Sequence, residues 1–237
     1  MYPMLGFSGA KIEPVIAYRK TATDAVEQAE RCKQLGHHVC PRIYHIDYDS
    51  YLMEQLFPAG EKNLPAIKEL LEKHVWSRKI MIPSWKHHFH DWMIKTNSQF
   101  MIKYVETIYP SGTQVNGGCE THGDPTWANV MRNDLGEYRL IDPLPPRNEK
   151  PKLREVDLGK LLQSAIGWEE VLMKQGHRFQ VTHANMNKVL RGEDDATCEK
   201  AKFWLMVHLW RLLPFAEKNG RPDIAEKARE AVFAIRL

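Results

Sequence analysis

The sequence predicts an α+β protein: a short, strand-rich N-terminal region over residues 1–57, then a mostly helical region over 58–237. Before residue 57 the apolar residues fall in short runs rich in branched and aromatic side chains, the mark of strands, interrupted by one helical stretch. After residue 63 they recur every three to four residues, as helices require. Between these helical stripes lies Thr121-His122-Gly123-Asp124-Pro125-Thr126-Trp127-Ala128-Asn129, followed by Leu140-Ile141-Asp142-Pro143. It is a polar loop and a short apolar strand, each carrying an acid.

At 237 residues the chain can bury a substantial core, as one large domain or two small lobes. A formal charge of +3 and a pI near 8.6 are too mild to imply a nucleic-acid partner. The four cysteines, Cys32, Cys40, Cys119 and Cys198, form no C-x-x-C pair and read as reduced thiols. No apolar run is long enough for a membrane span, and no leader pattern opens the chain, so the expected location is cytoplasmic with no membrane partner.

In chain order, Leu5-Gly6-Phe7-Ser8-Gly9-Ala10-Lys11-Ile12 is a glycine-bounded turn running into an extended stretch. Gly6 and Gly9 let backbone approach an anion without a Cβ in the way, although a simple hairpin bend needs the same residues. Val15 to Lys20 reads as a strand, on which Arg19 and Lys20 point to opposite faces. Thr23 or Asp24 caps a helix that carries Glu27 and Glu30 and stops at Gly36. Tyr44 to Asp49 is a strand and turn, Tyr51 to Leu56 the next strand, and Phe57-Pro58-Ala59-Gly60 a linker-like break.

In the helical region, Leu64, Ile67, Leu70 and Leu71 form one stripe, and Phe89 to Val105 marks a second helix over Trp85 to Tyr109. His87, His88 and His90 inside it only partly match metal-ligand spacing and read as a polar face or groove wall. Pro143, Pro145 and Pro146 stiffen the chain after Asp142. Val156-Asp157-Leu158-Gly159-Lys160-Leu161-Leu162 starts a helix, with Asp157 as an N-terminal helix acid and loop anchor. Ala165 to Trp168 and Phe203 to Trp210 are core stretches. Arg191-Gly192-Glu193-Asp194-Asp195 is an exposed turn whose acids cap the next helix or face a cationic substrate. Pro214 and Gly220-Arg221-Pro222 punctuate the end, and Asp223 to Leu237 forms a last amphipathic helix.

The loop and strand carry the chemistry. Phosphoryl transfer from a nucleotide is mainly positioning and charge neutralisation. Asp124 suits the base that meets an attacking hydroxyl, while Asn129 and Asp142 offer the hard oxygens that Mg²⁺ prefers. The plain alternative is a loop whose acids cap helices and whose Asn sits in a turn. H-G-D-x-x-x-x-N followed by an apolar strand and I-D resembles the aminoglycoside phosphotransferase and choline kinase group of protein-kinase-like enzymes.

That resemblance implies a two-lobed protein-kinase-like fold, with a small antiparallel-sheet N-lobe over 1–57 and a mostly helical C-lobe over 58–237. It also implies ATP and Mg²⁺ as cofactors and a small hydroxyl-bearing acceptor, such as an amino sugar, choline or sugar. Within it Lys20 contacts the ATP phosphates and Glu27, with Glu30 as fallback, orients Lys20. Gly6, Ser8 and Gly9 form the phosphate lid. The segment around Glu54 and Leu56 is the hinge whose backbone meets adenine, and His122 braces the loop. A protein Ser/Thr acceptor, or a nucleotide-binding pseudokinase that regulates a partner, is the alternative expectation.

Overall fold

The computed structural model describes residues 4–5, 11–12, 17–80, 107–109, 118–144, 152–173 and 178–235. Gly6, Ser8, Gly9, the histidines 87, 88 and 90 with most of the expected 85–109 helix, and Pro145-Pro146-Arg147 lie outside these residues. The architecture is α+β, with small antiparallel sheets and a helical C-terminal part.

The first strands, β1 (Met4–Leu5) and β2 (Lys11–Ile12), pair antiparallel. Then come β3 (Ala17–Thr21), α1 (Ala25–Leu35), β4 (Ile43–Ile46) and β5 (Ser50–Glu54). The sheet order is β3-β5-β4, and β3 sets Lys20 opposite Tyr51. Side-chain alternation holds: Arg19 is largely exposed and reaches Asp47, whereas Lys20 is mostly covered. Asp24 stands at the α1 N-cap. At its other end Gly36 takes φ 89°, and its N–H donates to the Cys32 carbonyl, a backbone that a Cβ would strain. Ala25 and Ala29 of α1 close on Tyr51, Met53 and Leu56 to form a small core.

Phe57–Pro58, expected as a break, forms a short strand β6. It pairs with the first strand of a hairpin, β9 (Val130–Arg132), once β7 (Lys79–Ile80) and β8 (Gly118–Cys119) have paired with each other. Pro58 is tolerated because β6 is an edge strand. The hairpin closes through β10 (Tyr138–Leu140). Its turn is built by Asn133, whose side-chain oxygen accepts from the N–H groups of Leu135 and Glu137.

The helical part begins with α2 (Leu64–Leu71), capped by Asn63 and continued by a π-helical turn, Glu72–Trp76. It resumes with α3 (Arg154–Ala165), α4 (Trp168–Leu172), α5 (His183–Leu190), α6 (Asp195–Lys218) and α7 (Pro222–Ala234). The main core is here, around Leu158, Leu161, Leu162, Phe203 and Trp204. Helices α3 and α6 approach closely at Gly159, where a Cβ would lie 2.7 Å from Trp204 Cβ and 2.9 Å from the Leu205 nitrogen. Among the described residues no helix is long and apolar enough to cross a membrane.

Two local expectations are corrected. Pro214 does not end a helix but lies inside α6. Leu213 and Ala216 on either side of it are buried, and that packing outweighs one lost backbone bond. Glu193 is not an exposed turn acid: its carboxylate is 5% exposed and pairs with Lys68 and Arg154, each at 2.5 Å. Of that run, Asp194 does cap α6, accepting from the Thr197 N–H at 2.7 Å.

Candidate functional site

The loop from His122 to Asn129 has no regular structure of its own beyond a 3₁₀ turn at Trp127–Asn129, so its shape must be held from outside. Helix α3 supplies most of that hold. The Asp157 carboxylate, fully buried, accepts from the His122 N–H at 2.9 Å and the Gly123 N–H at 2.8 Å. It also accepts from Trp76 Nε1 at 3.0 Å. The expected anchor role of Asp157 is therefore observed. Two turns on, Ser164 Oγ accepts from the Trp127 N–H and donates to Glu169, whose carboxylate also accepts from the Ala128 N–H. Upstream, Arg31 of α1 pairs with Glu120 at 2.5 Å and donates to the Thr121 carbonyl at 2.7 Å.

Within this frame Gly123 takes φ 86°, and a Cβ there would lie 2.9 Å from Leu144 Cβ. Glycine is required on both counts. His122 is fully buried and braces the loop through its backbone: its N–H goes to Asp157 and its carbonyl accepts from the Leu144 N–H.

The loop then presents Asp124, which is held on both oxygens. Lys160 Nζ lies 2.9 Å from Oδ1, and Asn129 Nδ2 lies 3.1 Å from Oδ2. Asn129 Nδ2 also donates to the Asp124 carbonyl at 2.9 Å. Its amide nitrogen is thus committed, and its oxygen is the atom left to offer a cation. The Asn129 carbonyl accepts from the Ile141 N–H at 2.9 Å, which delivers Asp142 beside the loop. Asp142 has φ 57°, the one positive φ outside glycine among the described residues. Such a backbone costs energy and tends to be kept where a side chain must be aimed.

Lys20 reaches Asp142 from β3 and forms an ion pair with it. Burial pulls the Lys20 ammonium below its usual range, with Cys32 and Asp24 of the α1 side acting the other way. Four of the expected residues, Lys20, Asp124, Asn129 and Asp142, are therefore joined by a continuous set of contacts. Glu27 stands half-buried on the first turn of α1.

The hinge residues are engaged in packing. The Glu54 carboxylate accepts from the Arg42 N–H at 2.7 Å and faces Arg139 Nε at 3.4 Å, while Leu56 is buried in the small core. Any ligand contact from this segment falls to its backbone. Among the described residues no three His, Cys, Asp or Glu side chains converge as a metal-ligand set. A hard cation here would rest on the Asn129 oxygen, the Asp142 carboxylate, water and a ligand's own oxygens, a donor set that suits Mg²⁺.

Lys160 was not anticipated from the sequence. The signal was its spacing from Asp157: residues 157, 160 and 164 share one face of α3, and all three side chains meet the loop. Compared with known proteins, the chain matches no family model and no curated relative.

Proposed function

We propose that the chain is a Mg-ATP-dependent phosphotransferase, built on a two-lobed protein-kinase-like plan, with the hydroxyl of a small molecule as acceptor. The observation that carries this reading is the Lys20–Asp142 ion pair set beside the Asp124–Asn129 pair through the Ile141 N–H. Lys20 from the N-terminal strands meets Asp124, Asn129 and Asp142 of the loop and strand, which together supply the charges and the amide oxygen that nucleotide phosphates, a divalent cation and a hydroxyl need.

In this reading Asp124 orients the acceptor hydroxyl. Its oxygen forms a bond to the γ-phosphorus while the bond from that phosphorus to the β–γ bridging oxygen breaks. The hydroxyl proton passes to Asp124, and ADP leaves. Most of the rate enhancement comes from positioning and from neutralising phosphate charge. Lys20 would exchange Asp142 for phosphate oxygens when nucleotide binds, and Asp142 and Asn129 are the residues that would hold Mg²⁺. The metal would neutralise the β- and γ-phosphate oxygens. Lys160 and Asn129 fix the Asp124 carboxylate, so its orientation is set before the acceptor arrives.

Incubation with γ-labelled ATP, Mg²⁺ and a fractionated cell extract tests this, with Asp124→Ala as control. Label in small molecules that needs Asp124 is the expected result, and label on polypeptides would move the acceptor class to protein. No Asp124-dependent transfer, together with equal ATP affinity with and without Mg²⁺, would overturn the proposal.

A further inference from the structure

Outside the Asp124 site, a cavity of about 270 Å³ opens between the start of α2, the α3–α4 junction and α5. Its walls differ sharply in character. Leu64, Pro65, Ala165 and Ile166 give it apolar lining, and Lys62, Arg178 and Lys188 bring three cations to it. Among the described residues one carboxylate lines it, that of Glu170.

The three cations are not equivalent. Lys62 is already neutralised, at 2.9 Å from both Glu169 and Glu170. Arg178 and Lys188 are exposed and form no ion pair among the described residues. Two unpaired like charges facing one concavity repel each other, and an anion between them removes that repulsion. Polar lining comes from Gln180 and Asn185, the Asn185 amide nitrogen donating to the Gln180 carbonyl at 3.1 Å. Small-ligand sites typically combine an apolar wall with a few convergent polar groups.

We propose that this cavity binds a small organic anion, an apolar body bearing a phosphate or carboxylate group, with Arg178 and Lys188 holding the charge and Ile166 and Leu64 the body. The site is separate from the Asp124 cluster and does not depend on the phosphotransferase reading. It is linked to the loop at residues 122–129 through Lys62. Lys62 bonds Glu169 on one oxygen, and the other oxygen of Glu169 accepts from the Ala128 N–H. An anion that draws on Lys62 loosens its hold on Glu169, so occupation is felt at the residue before Asn129.

Phenyl phosphate is the probe, titrated into the intact, isotope-labelled protein and followed by the backbone amide signals. Saturable shifts at Gly167, Gln180, Asn185 and Lys188 are expected, with Ala128 and Trp127 shifting at the same midpoint. Benzyl alcohol, which has no charge, and inorganic phosphate, which has no apolar body, should each bind at least tenfold more weakly. The Arg178→Glu/Lys188→Glu variant changes only exposed side chains and should fold normally; its affinity should fall at least tenfold. A midpoint unchanged in that variant, or the absence of saturable shifts at the four cavity residues, overturns the proposal. Binding with no response at Ala128 and Trp127 overturns the link to the loop. Neither outcome bears on Asp124-dependent transfer, which the labelled-ATP assay reads separately.

Discussion

Replacing Asp157 should damage the protein more than replacing any other single acid away from the reacting groups, and the cost can be worked from its contacts. Its carboxylate is fully buried and accepts three N–H bonds, from Trp76, His122 and Gly123. Asp157→Ala strands three donors in the interior. Each costs about 1–3 kcal/mol, and partial relaxation or water entry brings the total to about 3–6 kcal/mol. That is a large share of the roughly 5–15 kcal/mol available to a folded protein. Asp157→Asn keeps the shape and one acceptor oxygen. With that oxygen at the Oδ2 position the Trp76 and His122 bonds survive, while the amide NH₂ opposes the Gly123 N–H, at a cost of about 2–3 kcal/mol. Urea unfolding is the assay. With a slope near 3 kcal/mol/M, the Ala variant should lose roughly 1–2 M in midpoint and the Asn variant about half of that. An Ala midpoint within about 0.2 M of the parent protein would refute the anchoring role, since three buried donors cannot be orphaned so cheaply.

Lys160→Met should lower kcat by roughly 10- to 100-fold with little change in ATP affinity, because it removes one of the two holds on Asp124; steady-state kinetics with the identified acceptor would check it. Gly159→Ala should destabilise by about 1–3 kcal/mol, since the new Cβ meets Trp204 Cβ at 2.7 Å and backbone at 2.9 Å; thermal unfolding reads this, and an unchanged Tm would mean that α3 and α6 can slide apart. Burial pushes the Glu120 carboxyl up, but Arg31 and Lys152 outweigh it and hold it at about 2 against an ordinary 4.5. A lowered folded value means the stabilisation is present above pH 4.5 and is lost as the pH falls toward 2. Glu120→Gln should therefore flatten the acid limb of the stability–pH curve in that window, and an unaltered limb would show that the Arg31–Glu120–Lys152 cluster adds nothing.

Local rules made much of this molecule legible. The α1 helix stops at Gly36, as that glycine requires, and starts after Asp24, although the Asp24 side chain makes no capping bond; Lys20 and Arg19 part to opposite faces as a strand demands. Asp157 could be recognised because Asp157-Leu158-Gly159-Lys160-Leu161 resembles the D-L-x-x-L helix start that follows the loop in the group it is similar to. What escaped notice depends on partners far along the chain. Glu193 reads as solvent-exposed because its neighbours are charged, yet Lys68 and Arg154 draw it inside. β6 is two residues long, too short to show a period, and exists only because β9 lies alongside. Pro214 obeys no local rule where it stands, because α6 is held by its packing on both sides. Lys160 belongs to the same class: its role exists only once α3 lies along the loop.

The dependence of His122 and Gly123 on Asp157 also orders events in time. The ribosome delivers the loop more than thirty residues before the carboxylate that shapes it. Helix α3, in turn, is buried against α6, which is made later still. During synthesis the nascent loop therefore lacks the contacts that shape it. The loop takes its shape late, when the C-terminal helices dock and Asp157 closes on its three donors.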